Sequence, residues 1–255
     1  MVALMNPVDA AGADRSFDDA ASAQMERIVQ DLGRMYHERN EALREVTRAH
    51  HEALLRLARA ADYRDDDTGV HMMRIGYLAE ALAVRLGEPE GFARMPRRAA
   101  PMHDVGKIGI PDAILKKPGA YTPEERAQMN QHAQMGADIL GRSRVPLFQL
   151  AAEVALTHHE RWDGSGYPRG LVGEAIPISG RIVAVVDFFD ALTMDRCYRK
   201  AFSDEVALGM LVQQRGVAFD PRIVDAFASH VDDMTALRER INANPPSFEQ
   251  LAELA

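Results

Sequence analysis

The stretch GVHMMRIGYLAEALAVRL, residues 69–86, is where the fold class is read. His71, Ile75, Leu78, Leu82 and Leu86 recur every three or four residues, the period of one helix face, and Gly87 stops the run. The same period appears further along. Thr122-Pro123-Glu124-Glu125 reads as a capping box with proline at the first helical position, opening a helix that carries His132 to about Gly141. Pro146 opens another helix, from Leu147 to His159, and a later one runs from about Ser179 to Thr193 with Asp187 and Asp190. Ser203 and Asp220-Pro221 begin two more, the second ended by Pro245-Pro246. Residues 92–106 are predicted helical with a bend at Pro101. Residues 161–178, rich in Gly and Pro, are long for a connector and leave room for at most a small hairpin. No run alternates in the manner of a strand, so the expected class is all-α.

Upstream, residues 1–15 are small and polar and read as a disordered lead. Ser16, followed by Asp18 and Asp19, marks a helix start with acidic residues at the favoured end of the dipole. Met25, Ile28, Leu32, Met35 and Tyr36, then Leu43, Val46, Leu54 and Leu57, form a stripe interrupted at Arg39 and His50. The spacing predicts one long helix over 16–57, able to pair with a second copy as a parallel coiled coil, ahead of a domain over 58–255. A homodimer is the expected state.

Apolar residues make up 47% of the 255-residue chain, enough for a buried core. The formal charge of -8 offers no basic footprint for duplex nucleic acid. A single cysteine, Cys197, excludes an internal disulfide and fits a reducing, cytoplasmic setting. The first residues show neither a basic n-region nor a long apolar h-region, and no apolar run is long enough to span a membrane.

Five of the nine histidines fall between residues 71 and 187 beside aspartates: His71, His103-Asp104, His132, His158-His159 and Asp187. Imidazole and carboxylate together suit divalent first-row metals held close together. His103 and Asp104 are adjacent, so on a continuous helix they point about 100° apart, and one site uses both only at a helix turn or end. A carboxylate has two oxygens, so Asp104 can bridge two ions. Lys107, three residues on, is placed to hydrogen-bond a phosphate or give a proton. In the segment His158–Pro168, Gly164 and Gly166 allow tight turns, and Tyr167 brings an aromatic face to the ligands, suited to a nucleobase. Trp162 reads as a structural plug of the same loop.

His103-Asp104-Val105-Gly106-Lys107, joined to His158-His159-Glu160 and Gly166-Tyr167-Pro168, resembles the HD-GYP family of cyclic-di-GMP phosphodiesterases, within the wider HD phosphohydrolases. Arg64-Asp65, Thr68-Gly69, Asp187 with Asp190–Thr193, and Asp195-Arg196 with Tyr198–Lys200 support the likeness over roughly residues 55–230. The resemblance implies an HD-type helical bundle behind a signalling helix, and hydrolysis of cyclic-di-GMP to the linear dinucleotide, in many members onward to GMP. It implies His71, His103, Asp104 and Asp187 around one metal, iron or manganese, and Asp104, His132 and His158 around a second. His159 completes the centre or serves a third ion, and Asp67 is the further candidate ligand for that ion. Lys107 assists protonation or phosphate binding, while Tyr167, Asp190, Arg196 and Arg199 face the guanine or phosphate groups. Cys197 stands where the family usually has proline. Another cyclic or linear dinucleotide as substrate, or a non-catalytic role sensing cyclic-di-GMP or docking on a diguanylate-cyclase domain or an upstream sensor, stays open from sequence.

Overall fold

The protein is described from a computed structural model, which covers residues 7–64, 69–195 and 200–252. Among these residues the chain forms helices α1 (Pro7–Asp62), α2 (Val70–Arg85), α3 (Glu90–Ala93), α4 (Met95–Ala99), α5 (Asp112–Leu115) and α6 (Pro123–Leu140). There follow α7 (Pro146–Thr157), α8 (Ile178–Leu192), α9 (Asp204–Gln213), α10 (Pro221–Ser229), α11 (Val231–Ala243) and α12 (Phe248–Ala252). The described residues contain no strand, only the isolated bridges Asp163–Val172 and Arg215–Phe219, so the all-α expectation holds and the hairpin reduces to a single bridge.

The chain divides into two compact units, one up to His50 and one from His51 to the C-terminus. In the first unit α1 leaves Met25, Ile28, Leu32, Met35 and Tyr36 exposed along one stripe. The helix runs from Pro7, ahead of the start read at Ser16. Pro7 suits a first helical turn, and the alanines that follow are strong helix formers. The second unit starts at His51. His51 is buried with its Nε2 3.1 Å from the Arg98 carbonyl, and Leu55 and Ala58 are buried among Met72, Met102 and Leu147.

The larger core joins α2 to α8, α9, α10 and α11 through Ile75, Leu78, Leu82, Val185, Phe189, Leu211 and Phe227. The face read from residues 69–86 is thus the face that is buried. The capping box forms as predicted: Thr122 Oγ1 accepts from the Glu125 amide, and the Glu125 carboxylate accepts from the Thr122 amide. Two expected helices are broken. Residues 92–106 split into α3, α4 and 3₁₀ turns at Ala100–Met102 and Val105–Gly109, because Pro96 and Pro101 cannot donate to the i−4 carbonyl. The helix from Pro221 divides at His230, whose Nδ1 takes the Ala226 carbonyl at 2.9 Å and whose φ of -128° leaves the helical region.

Candidate metal centre

The break at Pro101 is what makes a site. His103 closes the first 3₁₀ turn and Asp104 precedes the second, so two adjacent side chains reach one place. Gly106 seats that turn on α6. A Cβ there would run into the His132 carbonyl and the Gly136 amide, so only glycine lets the backbones approach enough to set His132 beside Asp104. His71 comes from the start of α2, His158 and His159 from the end of α7, and Asp187 from α8.

Two clusters result. His71, His103 and Asp187 place ligand atoms within 4.8 Å of one another, and so do Asp104, His132, His158 and His159. Asp104 lies between them. Its Oδ2 is 3.3 Å from His103 Nε2, while its Oδ1 is 3.3 Å from His132 Nε2 and 3.7 Å from His158 Nε2. Asp187 Oδ1 is 3.5 Å from His71 Nε2 and 3.8 Å from His103 Nε2. Lys107 Nζ is 2.7 Å from Asp104 Oδ2.

Four imidazoles are aimed by their far nitrogens. Nδ1 of His103 bonds the Ala100 carbonyl at 2.9 Å, that of His132 the Met129 carbonyl at 2.8 Å, and that of His158 the Val154 and Ala155 carbonyls at 3.1 and 3.0 Å. His71 Nδ1 bonds Asp190 Oδ2 at 2.7 Å. Only a protonated Nδ1 can donate to these acceptors, so Nε2 carries the lone pair that faces the centre. The Nε2 atoms of His103, His132 and His158 and Oδ1 of Asp104 are buried and in no hydrogen-bond geometry with the described residues. Buried lone pairs converging without a donor are costly unless a cation joins them, so this donor set fits divalent metal.

The charges agree. Burial would raise the Asp104 carboxyl, but Lys107 and then His103 hold it well below the usual carboxylate range. Burial alone would lower His103, yet the adjoining Asp104 carboxylate lifts it to about 9, so without a cation its Nε2 keeps a proton that metal binding would displace. Burial pushes His132 down to about 4 and, with His158 beside it, holds His159 well below the usual imidazole range. These two are neutral donors.

The loop after His159 forms the other wall. Glu160 is buried and accepts from the Arg169 and Leu171 amides at 2.7 and 2.9 Å, holding the loop in a closed turn. Gly166 presses on Glu160 and Arg161, where a Cβ would meet the Glu160 Cα at 2.6 Å. The Tyr167 ring then lies 4.8 Å from His159 at 30°. Trp162 faces away, packed near Gly173 and under the Arg181 guanidinium.

A family model described as HD domain matches residues 23–223. The chain belongs to the HD domain family. Over 185 residues it is 49% identical to the cyclic di-GMP phosphodiesterase response regulator RpfG of Xanthomonas campestris, a match covering 72% of this chain and 49% of that protein. Over 196 residues it is 45% identical to 3'3'-cGAMP-specific phosphodiesterase 2 of Vibrio cholerae, covering 77% of this chain and 37% of that one. The chain therefore spans about half the length, or less, of these curated relatives. The fold is shared with the crystal structure of the V. cholerae cyclic GMP-AMP specific phosphodiesterase V-cGAP3, at a TM-score of 0.56 and 21% identity over 80% of this chain and 55% of that one.

Within this HD domain the structure brings together His71, His103, Asp104, Lys107, His132, His158, His159, Tyr167 and Asp187. Asp190, read from the resemblance as facing the dinucleotide, stands apart from this group. It is fully buried on the far side of His71, where Arg74 Nε and Nη2 donate to its two oxygens at 2.6 and 2.9 Å. Its two oxygens are taken by Arg74 and by His71 Nδ1, so it aims the His71 ring. Asp67, Arg196, Cys197 and Arg199 lie outside the described residues.

Three residues of the HD domain went unassigned in the sequence reading: Arg74, Glu160 as the loop's anchor, and Arg64. The Arg64 guanidinium donates to the carbonyls of Lys107, Ile108 and Ile110 and to Asp112 Oδ1, clamping the turn that presents Lys107. Arg74 could have been found from its place three residues after His71 on an apolar helix face. Nothing in sequence marks Arg64 as a clamp. Replacing it (Arg64→Ala) is expected to cost about 1–2 kcal/mol of stability, the net worth of a few charge-assisted hydrogen bonds at a half-buried group. An unchanged urea midpoint would show the clamp dispensable.

Proposed function

We propose that this chain is a metal-dependent phosphodiesterase that hydrolyses cyclic-di-GMP to linear pGpG and onward to GMP. The observation that carries this is the Asp104 carboxylate, with one oxygen toward His103 and the other toward His132 and His158. A carboxylate shared between two histidine clusters is built for a pair of ions a few ångströms apart. Iron or manganese suits the nitrogen and oxygen donors, with Asp67 the candidate ligand for a third ion. Such ions polarise phosphoryl oxygens and acidify an attacking water.

The chain's own residues do the rest. Asp104 and Asp187 supply negative charge that fixes the cations, and the carbonyl-anchored histidines keep their donors aimed without reorganisation. Lys107, near enough to the centre to contact Asp104, is placed to offset charge on the phosphate or donate to the departing 3′-oxygen. Tyr167 is half-buried, with burial raising its hydroxyl above the usual phenol range, so it serves as a neutral hydroxyl and a π-face for a base. The reaction is placed in the cytoplasm, the setting that the lone cysteine fits; no helix among the described residues is long and apolar enough to cross a membrane.

The test is anaerobic purification with iron or manganese, followed by hydrolysis of a nucleotide panel. Release of pGpG and GMP from cyclic-di-GMP, abolished by chelation, is the expected result; a metal-loaded protein that cleaves no cyclic dinucleotide would overturn it. The 45% identity to a cGAMP-specific enzyme favours 3′,3′-cGAMP as the second reading, and the same panel separates the two. A purely non-catalytic sensing role is disfavoured by the complete set of described ligands.

The exposed stripe on α1 supports a homodimer, through which an upstream sensor or a diguanylate-cyclase domain would act on the catalytic unit. Leu32→Glu with Met35→Glu, placing charges in the stripe, is expected to halve the mass seen by light scattering. An unchanged dimer would move the interface elsewhere. Truncation belongs at His51, since removing Leu55 would open the core.

A further inference from the structure

A cavity of about 680 Å³ opens off the metal centre. Its near wall contains His158, His159 and Asp187, all members of the two clusters. Its far end is different in kind. Phe188 and Ala191 of α8, Met210 of α9, and Phe219 form apolar sides there, with the Phe188 and Phe219 rings 5.0 Å apart at 55°. Gln213 and Gln214 line the same cavity, as do Glu160, whose carboxylate is taken by the Arg169 and Leu171 amides, and Arg161, whose guanidinium is taken by Ser165 and Asp163.

The main chain that carries Gln214 is fixed. The Gln214 carbonyl accepts from the amides of Val217, Ala218 and Phe219, closing a tight turn after α9. That turn is stitched to the tyrosine loop by the Trp162 amide on the Ala218 carbonyl and the Asp163 amide on the Val217 carbonyl, both at 3.0 Å. The frame that positions Tyr167 thus also positions the glutamines. Their side chains make no hydrogen bond to the described residues, so donors and acceptors are left for a ligand.

We propose that the far end of this cavity is a purine subsite, in which one base of the bound dinucleotide lies against Phe188 and Phe219 while Gln213 and Gln214 hydrogen-bond its edge. This rests on the cyclic-dinucleotide reading above. A phosphodiester at the clusters must send its attached groups outward. Aromatic sides and two carboxamides suit a flat, polar-edged group, and the charged groups of the lining, Glu160 and Arg161, are engaged by the loop itself. A carboxamide offers a donor and an acceptor side by side, the pattern that matches either purine's edge. The subsite therefore recognises a purine without rejecting adenine strongly.

The experiment compares kcat/KM for cyclic-di-GMP with kcat/KM for bis(p-nitrophenyl) phosphate, a diester with no base, in the full chain and in Gln213→Ala/Gln214→Ala. The ratio is expected to fall about tenfold, carried by KM for the dinucleotide, as loss of two neutral hydrogen bonds implies. A ratio within twofold of the parent, or a drop carried only by kcat, would overturn the subsite. If the parent cleaves the base-free diester but no cyclic dinucleotide, the substrate reading itself falls and takes the subsite with it. A parent that cleaves cyclic-di-GMP with an unchanged ratio in the variant removes the subsite alone.

Discussion

Asp104→Ala is expected to lower phosphodiester hydrolysis by more than about a thousandfold, since several kcal/mol of charge stabilisation goes with the ions it holds. It should also empty both clusters of metal. The reason is positional: Asp104 is the one described carboxylate whose two oxygens face different histidine groups. Removing it takes the one negative charge that the two sides share and leaves the Lys107 ammonium, which it contacts at 2.7 Å, closer in effect to the sites. His132→Ala, by contrast, deletes a donor from one cluster only. Metal-to-protein ratios for the two variants, measured on anaerobic preparations, separate the cases. Asp104→Ala should approach zero, while His132→Ala should keep the metal of the His71–His103–Asp187 cluster. Equal metal content in Asp104→Ala and the parent would show that the carboxylate bridges nothing.

How much of this centre was legible in the sequence differs by residue, for physical reasons. His103-Asp104 and His158-His159 stand out because adjacent ligands are useful only where a helix ends, and both pairs lie at such ends. The capping box before His132 and the apolar period behind His71 were readable because caps and helix faces are local properties. The breaks at Pro96 and at His230 were harder. The first depends on which of several prolines falls inside a helix and the second on a side chain competing for a carbonyl. His51 and Leu55 continue the pattern of an exposed helix and are buried only by partners distant in sequence, so the start of the second unit is not a local property. Asp187 and Asp190 show the same limit. They sit three residues apart on α8, so they share a face, and sequence does not say which meets the metal and which meets Arg74.

That distinction carries the second large effect. Asp190→Ala is expected to destabilise the protein by about 3–5 kcal/mol, the cost of leaving a buried cation without its counterion. Arg74 is buried, and after the substitution its described hydrogen-bond partners are Asn242 and Met194. His71 loses the acceptor that fixes its tautomer, so its Nε2 lone pair is no longer held toward Asp187. Asp190→Asn separates the two roles. It keeps the shape and one acceptor oxygen, so it should recover much of the fold, but its amide NH₂ meets either His71 Nδ1–H or Arg74 as donor against donor. Metal affinity at the His71 cluster should fall about 10–100-fold, as disturbed outer partners of a ligand imply. Denaturant unfolding of chelated protein reads the first effect, and metal titration the second. A chelated Asp190→Ala that unfolds within about 0.5 kcal/mol of the parent, inside the range of an ordinary surface change, would mean that Arg74 finds another partner and that the aspartate is no keystone of the domain.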